Sequence, residues 1–135
     1  MARYLLDSNA FIRFENDPQA LRSEAREAIE DATNELFLSL ASLWELAVKA
    51  AKGKMPFFAN LASRGPDAVA RSLHEANFQL LPIRLAHTLA SARLPHQHKD
   101  PFDRMVVAQA IEEDLVLITS DRTLLRYPRL RVLAA

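Results

Sequence analysis

Apolar positions along the chain follow two rhythms. Short β-prone runs, Arg3–Leu6, Glu35–Leu38, Phe78–Leu81, Val116–Thr119 and Leu130–Leu133, are separated by longer stretches in which apolar residues recur every three to four positions. Runs alternating with helices predict strands joined by crossovers, and therefore a parallel sheet covered on both faces. The expected class is α/β, a three-layer α/β/α sandwich with five strands.

Several helices carry start and stop signals. Asp17-Pro18 reads as N-cap and first-turn proline, followed by Leu21, Ala25, Ala28, Ile29 and Ala32 on one face and by Arg22, Glu24, Arg26, Glu27 and Glu30 on a solvated one. Ser42-Leu43-Trp44-Glu45 has capping-box form, and Lys52-Gly53 supplies the stop. Pro66-Asp67 starts a helix ending near Asn77, Arg84–Arg93 is another, and Asp100-Pro101 caps an apolar helix through Glu113. A short helical turn is expected after Asp121. The stretch 54–64, with Pro56 and Phe57-Phe58, reads as an ordered connection. There are no internal repeats, and the expectation is one domain over 1–135.

Composition narrows the chemistry. Half of the 135 residues are apolar, enough for a buried core. No apolar run approaches about 18 residues, and Glu45 and Lys49 interrupt the stretch 36–51, so no membrane span is expected. The N-terminus meets Asp7 too early for a signal-peptide core, which makes cytoplasmic residence the default. Cysteine is absent, excluding disulfides, thiol nucleophiles and thiolate metal sites. Basic and acidic residues balance at 17 each, so overall charge does not announce a nucleic-acid binder. Setting aside four acids held at one cation site leaves 17 against 13, a mildly basic remainder.

Those four acids are Asp7, Glu45, Asp103 and Asp121. Asp7 follows the first strand, Glu45 reads as first-turn in the helix after the second, and Asp121 follows the fourth. Asp103 opens the helix feeding the fourth strand, which must run antiparallel to it and so begins at the same edge. In parallel α/β sheets that edge binds ligands. Singly, each acid reads as a cap or a first-turn charge. Together they would repel one another, so the cluster calls for a bound cation. With oxygen ligands the expected ion is Mg²⁺ or Mn²⁺, which suits phosphodiester hydrolysis without a protein nucleophile.

The blocks Leu5-Leu6-Asp7-Ser8-Asn9, Ser42-Leu43-Trp44-Glu45, His98-Lys99-Asp100-Pro101-Phe102-Asp103-Arg104 with Ala108-Gln109-Ala110, and Thr119-Ser120-Asp121 together resemble the VapC-type PIN domains over nearly the whole chain. That resemblance implies a sheet in 3-2-1-4-5 order and a metal-dependent endoribonuclease acting on structured RNA such as tRNA or rRNA. It also implies a toxin inhibited by a small VapB-type antitoxin, commonly as a homodimer. Position by position, Asp7, Glu45, Asp103 and Asp121 match the acidic metal-site residues. Ser8, Asn9, Thr119 and Ser120 match polar neighbours that orient carboxylates or a water.

Other candidates have plainer readings. His96 and His98 flank Gln97 in a loop without a third soft ligand nearby, which reads as loop hydrogen bonding. Lys49, Lys52, Arg104 and Arg122 are candidate RNA phosphate contacts, with Lys54, Arg93, Lys99 and Arg126 near the same edge, and Arg104 could instead pair with an acid. Trp44 reads as a packing residue rather than a base-stacking one. Phe11, Phe14 and the Leu21 face fit either an antitoxin groove or the core. Two alternatives to a nuclease are a catalytically silent PIN-type protein-binding module and a phosphotransfer or receiver domain. The second meets Asn9 where a haloacid-type phosphatase has its second aspartate, and it lacks a receiver's acidic pair and closing lysine.

Overall fold

The computed structural model describes residues 1–95 and 100–135; His96, Gln97, His98 and Lys99, and the readings made on them, lie outside the described residues. Five strands, β1 (Arg3–Leu6), β2 (Glu35–Ser39), β3 (Phe78–Leu81), β4 (Val116–Thr119) and β5 (Val132–Ala134), form one sheet in the order β3-β2-β1-β4-β5. Every pairing is parallel, with Leu6 opposite Leu38 on one side and Ile118 on the other. The 2-1-3-4-5 order of receiver domains is not this one. The helices are α1 (Ser8–Asn16), α2 (Ser23–Glu30), α3 (Leu40–Ala51), α4 (Pro56–Ser63), α5 (Pro66–Glu75), α6 (Leu85–Arg93) and α7 (Pro101–Glu112). Short 3-10 turns occupy Pro18–Ala20 and Arg122–Arg126.

Alternation along β1 divides the core in two. Leu6 packs with Leu38, Phe78 and Ile118 against Phe11, Leu21, Ala25 and Ile29. Leu5 faces the other way, with Leu81 and Leu117 against Val106, Val107 and Ala110 of α7. Among the described residues no helix is long and apolar enough to cross a membrane.

Local differences from the sequence reading have specific causes. Asp17-Pro18 opens only the 3-10 turn, because Leu21 is extended (φ −80°, ψ 149°) and turns its side chain into the core before α2 begins at Ser23. The N-cap of α3 is Ser39, not Ser42: β2 passes straight into the helix, and the Ser39 hydroxyl accepts from the Ala41 N–H. Ser42 is thereby carried inside the first turn and Glu45 into the second. The stretch read as a connection contains α4, started by Pro56 after a left-handed Met55 (φ 54°). The last strand starts two residues later than its run suggested and ends one residue later.

Three features fix α7 against its neighbours. Gln109, fully buried, accepts from the Ser39 hydroxyl and donates through Nε2 to the Pro82 carbonyl at 3.2 Å. Beside it, His87 Nδ1 accepts from the Arg84 N–H, which puts the ring proton on Nε2, facing Glu113 Oε1 at 3.2 Å. Arg104 donates to the carbonyls of Ser91, Leu94 and Pro95 and so caps the C-terminal end of α6.

Candidate metal centre

Chain geometry brings the acids to one edge. Asp7 leaves the C-terminal end of β1 and immediately caps α1, its Oδ1 accepting from the Ala10 N–H at 2.8 Å. Asp121 follows β4 and caps the 3-10 turn, its Oδ1 accepting from the Thr123 N–H at 3.0 Å and the Thr123 hydroxyl at 2.7 Å. Because β1, β2 and β4 are parallel, Asp7, the start of α3 with Glu45, and Asp121 share that edge.

Asp7 is 5% exposed. Burial pushes its carboxyl above the usual carboxylate range; hydrogen bonds from Thr119 and Ala10 pull it back, and the charges of Asp121 and Glu45 push it up again. Thr119 links two of the acids, since its buried hydroxyl donates to Asp7 while accepting the Asp121 N–H at 3.0 Å. Ser8, also buried, donates to Glu45 Oε1 at 2.6 Å, and Lys49 lies 3.8 Å from Glu45 Oε2 one helical turn on.

Asp100 is the N-cap of α7, accepting from the N–H groups of Phe102 and Asp103. That leaves Asp103, half-buried, in the first turn and at the same edge. The structure thus places Glu45 and Asp121 each within electrostatic reach of Asp7, and for Asp103 it gives the helix turn and the edge. Among the described residues no three His, Asp or Glu close into a ready-made metal cage. Charge coupling reaches farther than direct ligation, so the two observations describe an open cluster. Such a cluster fits Mg²⁺, which keeps several of its waters and needs only one or two carboxylates, and the oxygen-only donor set fits the same hard ion or Mn²⁺.

The remaining candidates separate clearly. Asn9 and Ser120 are exposed beside the cluster. Lys49 and Lys52 line an open depression of about 430 Å³ with Glu45, Val48, Asp100, Pro101 and Phe102. Arg122 is exposed next to Asp121, whereas Arg104 commits its guanidinium to the end of α6, a poor start for a phosphate contact. Phe11 and Leu21 belong to the core, and Phe11 and Phe14 meet Phe78 edge-on. Trp44, expected to pack, is 62% exposed.

An apolar cleft of about 270 Å³ lies between α1, α3, α4 and α5, lined by Phe11, Ile12, Leu43, Met55, Phe57 and Phe58 among others; the sequence reading named Phe11 for such a groove but missed the α4 wall. Its signal was the pair Phe57-Phe58 next to Leu61, hidden because the segment was not read as a helix.

Comparison with known proteins places this geometry. The family model described as PIN domain matches residues 4–130. No curated protein matches the sequence. Among solved structures, the chain superposes on VapBC2 from Rickettsia felis, bound to a DNA fragment from the promoter, with a TM-score of 0.74 at 18% identity, covering 98% of each chain. DNA-bound VapBC from Salmonella typhimurium gives 0.68 at 19% identity, covering 99% of this chain and 98% of that one. FitAcB from Neisseria gonorrhoeae gives 0.65 at 17% identity, covering 96% and 95%. At these identities the likeness is one of fold.

Proposed function

The chain belongs to the PIN domain family, and from that premise we propose that it is a single-domain, Mg²⁺- or Mn²⁺-dependent endoribonuclease, the toxin of a toxin–antitoxin pair. The observation that carries the reading is the Asp7 carboxyl, buried and facing the charges of Asp121 and Glu45. A fold gains nothing from such repulsion unless a cation offsets it.

In this reading Asp7, Glu45, Asp103 and Asp121 hold the cation, directly or through its waters. Bound there, the ion supplies a polarised water for attack on phosphorus and offsets charge on the phosphoryl oxygens. Thr119 fixes the Asp7 carboxylate, and Ser8 fixes Glu45, so neither has to reorganise when substrate arrives. Asn9 and Ser120, exposed at the rim, offer polar contacts to a water or to the ribose. Lys49, Lys52 and Arg122 meet backbone phosphates. The substrate is RNA, with tRNA or rRNA the expected class, in the cytoplasm. Solved neighbours include VapBC assemblies and a toxin–antitoxin complex from Klebsiella pneumoniae, which supports a small antitoxin as partner; a homodimer is the working form this reading expects. The apolar cleft favours a second reading, a PIN module that works by binding a protein and cleaves nothing.

The deciding experiment incubates the full chain with RNA in Mg²⁺ or Mn²⁺ and in EDTA. Cleavage should require the metal, and Asp7→Asn or Asp103→Asn should lower it by about 10³-fold or more with the circular dichroism spectrum retained. Equal cleavage in EDTA, or by the variants, removes the mechanism.

A further inference from the structure

Trp44 precedes Glu45 in α3, yet most of its ring lies in solvent. A single exposed aromatic is ordinary. This one is held: its ring meets Phe102 edge-on at 5.0 Å between centroids and 79° between planes. Phe102 in turn forms a wall of the depression that contains Glu45, Val48, Lys49, Lys52, Asp100 and Pro101. The helical repeat sets Trp44, Val48 and Lys52 along one stripe, with Glu45 and Lys49 on the stripe beside it.

That combination is an apolar floor, an aromatic ring beside it, and two lysines, of which Lys49 lies 3.8 Å from Glu45 and Lys52 stands a turn further from the carboxylate edge. Lys52 stands eight residues from Trp44, about 12 Å along the helix, a span that reaches the phosphates of adjacent nucleotides. We propose that Trp44 and this depression form a subsite for an unpaired nucleobase, which stacks on the indole while Lys49 and Lys52 engage neighbouring phosphates. The substrate segment is then single-stranded or looped out, since a base inside a duplex has no free face to offer. Stacking of this kind tolerates any base, so the subsite selects for strandedness rather than sequence. A protein partner has a separate apolar surface in the cleft between α1, α3, α4 and α5.

This inference rests on the ribonuclease reading, and its test can fail separately. Trp44 is the one tryptophan in the sequence, so its fluorescence reports the subsite directly. Asp7→Asn protein, unable to cut, is titrated with an unpaired oligoribonucleotide and with the same sequence annealed to its complement. The unpaired strand should quench Trp44 saturably, and the duplex should leave it nearly unchanged. With otherwise wild-type protein, Trp44→Ala should raise KM for an unpaired substrate roughly 5- to 150-fold with kcat little altered, and Trp44→Phe should restore most of the loss. Absence of quenching at saturation, or an unchanged KM in Trp44→Ala, overturns the subsite while wild-type cleavage still upholds the nuclease. A Trp44→Ala change that shows only in oligomeric state by sedimentation also overturns it, because the ring is then a protein contact. Wild-type protein that cuts no RNA in either metal sinks the parent reading, and quenching by the unpaired strand then judges the subsite alone.

Discussion

Two polar clusters lie buried in this sandwich, a few residues apart in the fold. In the first, Ser39, Gln109 and His87, with Glu113 at its margin, pass hydrogen bonds from β2 to α7 and α6; the Gln109 side chain meets a hydroxyl and a carbonyl, and both His87 nitrogens have partners. In the second, Asp7, Ser8 and Thr119 are equally buried, but the groups they face include the charges of Glu45 and Asp121. The first cluster matches donors to acceptors. The second gathers like charges around the buried Asp7 carboxyl, and Lys49, 3.8 Å from Glu45, is set against Glu45 rather than Asp7. Burial alone therefore does not mark a functional site; like charges converging on a buried, hydrogen-bonded carboxyl do.

Breaking the first cluster should have the larger effect on stability. Gln109→Leu leaves the Ser39 hydroxyl, the Pro82 carbonyl and the His87 edge short of partners, at a cost of about 2–3 kcal/mol, read as a lower urea midpoint with an unchanged m-value. A variant as stable as wild type would mean the network is not holding α7.

The second cluster should respond with the opposite sign. Asparagine caps a helix about as well as aspartate, so Asp7→Asn keeps the contact with Ala10 while removing the buried charge. In EDTA near neutral pH the variant should be more stable than wild type by on the order of 1 kcal/mol. The sign with pH follows from the raised carboxyl. Between the unfolded value of 3.8 and the higher folded value, the native state holds the extra proton, so stability falls as pH rises through that window. The advantage of Asp7→Asn should therefore be full above the window and vanish below it. A destabilised variant at neutral pH would make Asp7 a capping residue and nothing more.

The sequence made the edge legible and the fine placement less so. Hydrophobic runs located four strands to within a residue, because fully buried parallel strands are short, apolar and set off by helices. Asp100 was readable as the cap of α7 from the proline after it. Helix α1 was not, since Asp7 serves at once as cap and candidate ligand and no loop separates it from β1. Ser42 looked like a cap because the box spacing ignores that Ser39, three residues earlier, already fills that role at the strand end. Arg104 could be assigned to phosphate or to an acid from sequence; only the packing of α6 on α7 shows it at three carbonyls. Trp44 was misjudged because an aromatic in an apolar helix is usually core, and nothing local says that this face of α3 is open.

The central claim is that the open cluster of Asp7, Glu45, Asp103 and Asp121 takes up a divalent ion. Thermal melts of wild-type and Asp7→Asn protein across a Mn²⁺ titration test it most directly. The wild-type midpoint should climb saturably with Mn²⁺, and the variant should need at least about tenfold more metal for the same gain. Parallel curves for the two proteins, or no response from either, would contradict it.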